Sequence, residues 1–140
     1  MSDSFIEGQY YHDNGDYHTA AEHFAKSYRK GYERKKSLME YGNCKFYEAA
    51  SQLCGAPAIT RRSVLITASR AFEDAIKEFG MDCECIYQLC CVEYSLGLLL
   101  NTKNGHTAKF EEYFNILKNN FSSEVSWLHE LIPELENSFL

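Results

Sequence analysis

Six cysteines and five histidines are the side chains of this chain best suited to nucleophilic, redox or metal chemistry. The cysteines are Cys44, Cys54, Cys83, Cys85, Cys90 and Cys91. A zinc site built on cysteine wants close pairs separated by two to four residues, or cysteine and histidine at matching spacing. Here Cys83 and Cys85 are separated by a single residue, Cys90 and Cys91 are adjacent, and no histidine lies between Cys83 and Cys91. On a helix, Cys83, Cys90 and Cys91 share part of a face while Cys85 points elsewhere. The spacing therefore favours free thiols acting as small buried hydrophobes, with a cysteine-based metal or redox protein as a lesser reading.

The histidines offer little more. His18 stands one helical step from Glu22, His12 is next to Asp13, and His129 is next to Glu130. Pairs at this spacing are common on solvated helix surfaces. The paired Glu-x-x-His segments of a di-iron bundle are absent. Gly8, Gly15 and Gly31 are too scattered for a phosphate-cradling loop, and no nucleophile elbow occurs. The expectation is a protein that is not an enzyme, with no catalytic residue, metal site or cofactor.

The elements that carry these residues are helical almost throughout. Apolar residues recur at three- and four-residue steps and strand-like alternation is scarce. A first helix is expected over about Asp3–Asp13. Asn14-Gly15-Asp16 then makes a turn in which Asp16 caps a second helix, about Tyr17–Arg29. A third is expected over about Glu33–Leu53, broken at Gly55-Ala56-Pro57, and a fourth over Thr60–Phe79, closed by Gly80. Asp82 caps a fifth, apolar on most sides, which runs to about Leu100. A sixth covers about Thr107–Asn119, and a seventh starts near Ser123, with Pro133 able to kink or divide it. No linker divides the 140 residues, so one domain is expected.

Composition narrows the partners. With 45% hydrophobic and 24% charged residues the chain falls among ordinary globular proteins. The net charge of −6, with no segregated basic stretch, disfavours nucleic acid. Ile86–Leu100 is too short for a membrane span and contains Glu93, so no membrane partner is expected. No signal peptide is visible at Met1-Ser2-Asp3-Ser4-Phe5, and a cytoplasmic location is expected.

Internal similarity gives the sharpest signal. Gly8, Tyr11, Gly15-Asp16-Tyr17, Ala20 and Phe24 stand at mutual spacings at which small and bulky residues interlock across a helical hairpin. In this stretch the chain resembles the tetratricopeptide repeat family, although Ser4 and Glu7 stand where that family favours Trp and Leu, and Tyr32 replaces its closing proline. A looser copy has Leu38, Tyr41 and Gly42, then Ala68, Phe72 and Ala75. Gly42 and Ala68 stand 26 residues apart, where Gly8 and Ala20 stand 12 apart. The excess is about two added turns on each arm, which keeps the contacts in step. A third, weaker copy runs from Tyr87 to Leu117.

The resemblance implies an all-α array: antiparallel pairs at about 3–30, 33–79 and 82–119 stacked as a short right-handed superhelix, with a capping helix at about 123–138. It also implies a protein–protein interaction module or adaptor holding a peptide or partner helix in a concave groove. The family's groove positions fall on Phe5, Gln9, His12 and Asp13 in the first pair. They fall on Lys36, Met39, Asn43, Phe46 and Tyr47 in the second, and on Gln88, Val92 and Ser95 in the third. Members that hold chaperone C-termini use a Lys and Asn clamp. Asn43 occupies one such place, but Phe5 and Met39 do not suit it, so capture of a terminal carboxylate is not expected. The second reading is self-association, motivated by apolar residues near each end, Phe5-Ile6 and Phe139-Leu140.

Overall fold

Local sequence sets the helix ends. Asp16 Oδ1 accepts from the Thr19 amide at 3.2 Å, Asp82 Oδ1 from the Glu84 and Cys85 amides at 2.7 and 3.3 Å, and Thr107 Oγ1 from the Phe110 amide at 3.1 Å. Each oxygen satisfies donors that a helix start leaves open. Gly15, at φ +79°, makes the tight reversal before Asp16, a conformation that costs a glycine little.

A computed structural model describes residues 3–101 and 105–140. The described residues form seven α-helices: α1 (Asp3–Asp13), α2 (Tyr17–Arg29), α3 (Arg34–Tyr47), α4 (Ala58–Phe79), α5 (Cys83–Leu99), α6 (Ala108–Asn120) and α7 (Ser122–Phe139). No strand is present among them. The protein is all-α, as its periodicity predicts, and α1 and α2 begin and end at the expected residues.

Two elements depart from expectation. The third helix does not continue to Leu53 as α-helix. After Tyr47 the chain widens into a π-helical turn, Glu48–Gln52, in which the Leu53 amide donates to the Glu48 carbonyl at 2.8 Å. The seventh helix is not divided at Pro133: the residue lies within α7 on its exposed side.

Each of the first six helices packs mainly on its sequence neighbours, while α7 folds back against α5 and α6 and touches the π-helical turn. The core has two parts. A small cluster of Phe5, Ala20, Ala21 and Phe24 joins Cys44 of α3, and a large one fills the space among α3 to α7.

Two close approaches join the helices of the first two pairs. A Cβ on Gly8 would lie 2.9 Å from the Phe24 ring, and one on Gly42 would lie 2.8 Å from the Phe72 ring. Both rings are fully buried. In each pair a bare stretch of backbone receives a phenylalanine from the opposite helix.

Candidate functional site

The open part of the molecule nearest the predicted groove is the face shared by α1 and α3. Its character follows from which side chains the packing leaves outside. Gln9, Asp13, Lys36 and Tyr47 are exposed, and His12, Asn43 and Gln88 are half-buried. Phe5, Met39, Phe46, Val92 and Ser95 are buried. These five are corrected as groove residues, each for a specific reason. Phe5 packs edge-on against Phe24 and Tyr32, and the Lys36 ammonium sits 5.5 Å from its centroid. Met39 Sδ accepts from the Cys85 thiol at 3.0 Å. Phe46 meets the Phe139 ring of α7 at 6.1 Å. Val92 lies in the main core, and the Ser95 hydroxyl donates to the Cys91 carbonyl at 2.8 Å. Both residues lie on α5, which is enclosed by α4, α6 and α7.

Lys36 lies at the N-terminal end of α3 beside Phe5 and Gln88 lies on α5, whereas His12 and Tyr47 meet at the other end of α1 and α3. His12 is edge-on to Tyr17 at 5.5 Å and to Tyr47 at 6.2 Å, and Tyr17 and Tyr47 lie 5.3 Å apart. Three elements thus contribute to one aromatic patch. Burial pushes the Tyr47 phenol above its ordinary value, so it remains an O–H donor. Asn43 sits one helical turn before Tyr47. Its Oδ1 is sealed from solvent and has no hydrogen-bond partner among the described residues. An unmet buried acceptor costs about 1–3 kcal/mol. Tyr17 is the member of this patch that sequence reasoning missed. It stands directly after the Gly15-Asp16 turn, and the turn itself carries it toward α3.

The remaining chemistry-bearing groups lie elsewhere. His18 bridges Glu22 (3.2 Å) and Glu48 (3.1 Å), and Lys45 also reaches Glu48 at 3.1 Å. His18, Glu22 and Lys45 border a cavity of about 440 Å³ on α2 and α3, which Lys26 and Arg29 also line. Charges of both signs are interleaved there, and the carboxylates are taken up by neighbours. Cys44, Cys85 and Cys90 are buried, and burial pushes each thiol up to about 12. Cys91 is shifted in the same direction. A reactive thiolate needs the opposite shift. Cys54 alone among the six is exposed, and Cys83 is half-buried. Among the described residues no three His, Cys, Asp or Glu side chains are grouped to hold a metal ion, and none of their helices is long and apolar enough to cross a membrane.

The chain matches no known family profile, no curated protein and no solved structure.

Proposed function

We propose that this chain is a non-enzymatic protein–protein interaction module that holds a peptide or partner helix on the α1–α3 face. The observation that carries the proposal is the aromatic patch of His12, Tyr17 and Tyr47, with half-buried Asn43 one helical turn before Tyr47. Amide groups fix a bound backbone by hydrogen bonds, and half-exposed aromatics supply contact area at low entropic cost. Gln9 and Asp13 of α1 extend the same face with polar side chains. The resemblance to tetratricopeptide repeats supports this reading, since Gly8 with Phe24 and Gly42 with Phe72 repeat one contact at corresponding places. A net charge of −6 favours a protein over a nucleic acid as partner, and a cytoplasmic adaptor is the setting we infer.

Affinity purification from the native cell, read by mass spectrometry, tests this. Asn43→Ala and Tyr47→Ala should each remove the captured partner, with loss of about 2 kcal/mol or more where the residue anchors the contact. Helical content by circular dichroism should not change. Full capture by the double variant would exclude this face.

A further inference from the structure

Helices α4, α5 and α6 carry a second surface. Along α4, Ile59 is 70% exposed and Ile66 40% exposed, and Leu100 beyond α5 is 52% exposed. Ile66 and Arg62 line two adjoining hollows. One, of about 450 Å³, is walled by Leu96, Leu100 and Ala108, and the other, of about 330 Å³, runs along α4 between Ile59 and Arg70. Together they make one groove, apolar where Leu96, Leu100 and Ala108 meet Ile66 although Glu93 also lines that end, and edged by Arg62, Ser63, Thr67 and Arg70 along α4. Arg62 and Arg70 have no ion-pair partner among the described residues, while Lys109 at the far rim is held by Glu73 at 3.3 Å. An apolar floor beside two unpaired guanidinium groups suits a helix with an apolar stripe and acidic flanks.

The chain itself presents such a helix. On the outer side of α1, Ile6 and Tyr10 are 55% and 60% exposed and stand one turn apart. Asp3 and Glu7, both exposed, flank them at the same interval. Asp3 has no ion-pair partner among the described residues, and Glu7 has only His23 at 3.5 Å. The lengths agree as well. α1 has 11 residues, about 16 Å of helix, and Ile59 to Arg70 along α4 covers the same distance.

We infer that the α4–α5–α6 groove takes α1 of a second copy of this chain, with Ile6 and Tyr10 on the apolar floor and Asp3 and Glu7 against Arg62 and Arg70. The two surfaces are different, so the contact is head-to-tail and does not saturate at a dimer.

Light scattering and sedimentation of the full chain over a concentration series test this, with two charge-reversed variants. At low salt the wild type should exceed its 16.1 kDa monomer mass, and the mass should climb with concentration. It should fall in 1 M salt, where screening acts within about 3 Å. R62E/R70E and D3K/E7K should each weaken association about tenfold or more, since each sets like charges face to face. An equimolar mixture should assemble again, because each contact between unlike variants joins either two reversed or two native surfaces and so pairs opposite charges. N43A/Y47A should associate as the wild type does, which separates this surface from the α1–α3 face. A wild type that stays monomeric at low salt overturns the inference. So does assembly by either reversed variant alone, or a mixture that stays monomeric.

Discussion

The first two helix pairs and the third use a glycine in opposite ways. In α1–α2 and α3–α4 the glycine lies mid-helix and a phenylalanine ring from the partner helix covers it. In α5–α6 the corresponding cover is backbone: a Cβ on Gly97 would lie 2.7 Å from the Gly105 carbonyl oxygen. The aromatic mass has moved instead to a stack of Tyr94, His106, Phe110 and Phe114. A ring can tilt or be shortened, whereas a backbone carbonyl cannot. The first arrangement therefore tolerates compensation between residues, and the second does not.

The largest effect should come from emptying one of the ring sites. Phe72→Ala should cost about 3–5 kcal/mol in urea unfolding, the usual cost of a large core cavity. A loss below about 1 kcal/mol would mean that the ring is not the keystone of the second pair. Gly97→Ala should follow at about 3 kcal/mol, with no rescue by trimming any neighbouring side chain. Gly42→Ala should cost somewhat less, about 1–2 kcal/mol, even though alanine is the better helix former by about 1 kcal/mol. Adding Phe72→Leu should return part of that loss, and a double variant no better than the worse single one would break the distinction between ring and backbone cover.

Smaller effects sharpen the boundary between the second and third pairs. Asp82 caps α5 and pairs with Lys35 at 2.6 Å. Asp82→Ala should cost about 1 kcal/mol, the usual value for a lost cap. The Lys35 ammonium, chiefly, with the amides of Cys85 and Glu84, holds the Asp82 carboxyl below its usual range. Its stabilising contribution is therefore complete above the unfolded aspartate pKa and disappears as pH falls through the lower folded value. The variant should lose the corresponding acid-side slope in a stability–pH profile. Glu93 runs the other way. Burial raises its carboxyl, although Ser69 Oγ donates to it at 2.9 Å. Its contribution is complete at low pH and is lost as pH rises through the folded value. Glu93→Gln should thus leave stability unchanged or slightly higher at neutral pH and flatten that limb, and a clear destabilisation there would contradict it.

The comparison also marks how far the sequence can be read. Asn14-Gly15-Asp16 and Asp82 are local devices, and the helix ends they predict are found. Gly8 was legible as a point of close helix approach, but the pairing of Gly8 with Phe24 and of Gly42 with Phe72 is seen only in the structure. The π-helical turn was not, since Glu48-Ala49-Ala50-Ser51-Gln52 is an ordinary helical segment and its widening answers to what surrounds it. Nor could the accessible side of α5 be read. Residues apolar around the whole helix carry no direction, and only the packing of α5 among α4, α6 and α7 puts Val92 and Ser95 inside. Phe5 and Phe139, read as apolar ends free for association, are buried in the two cores, while Ile6 and Leu140 beside them are exposed.

Arg61 sits where three of these pieces meet. Its Nε donates to the Ala49 carbonyl at 2.9 Å, Nη2 to the Ser138 carbonyl at 2.6 Å, and its guanidinium lies 4.5 Å from the Phe139 ring centroid. Lifting the last turn of α7 would strand a cation and bare the π-helical turn in one event. Opening at these two places, far apart along the chain, is thus a single fluctuation, and their amides should exchange with solvent deuterium at a shared rate.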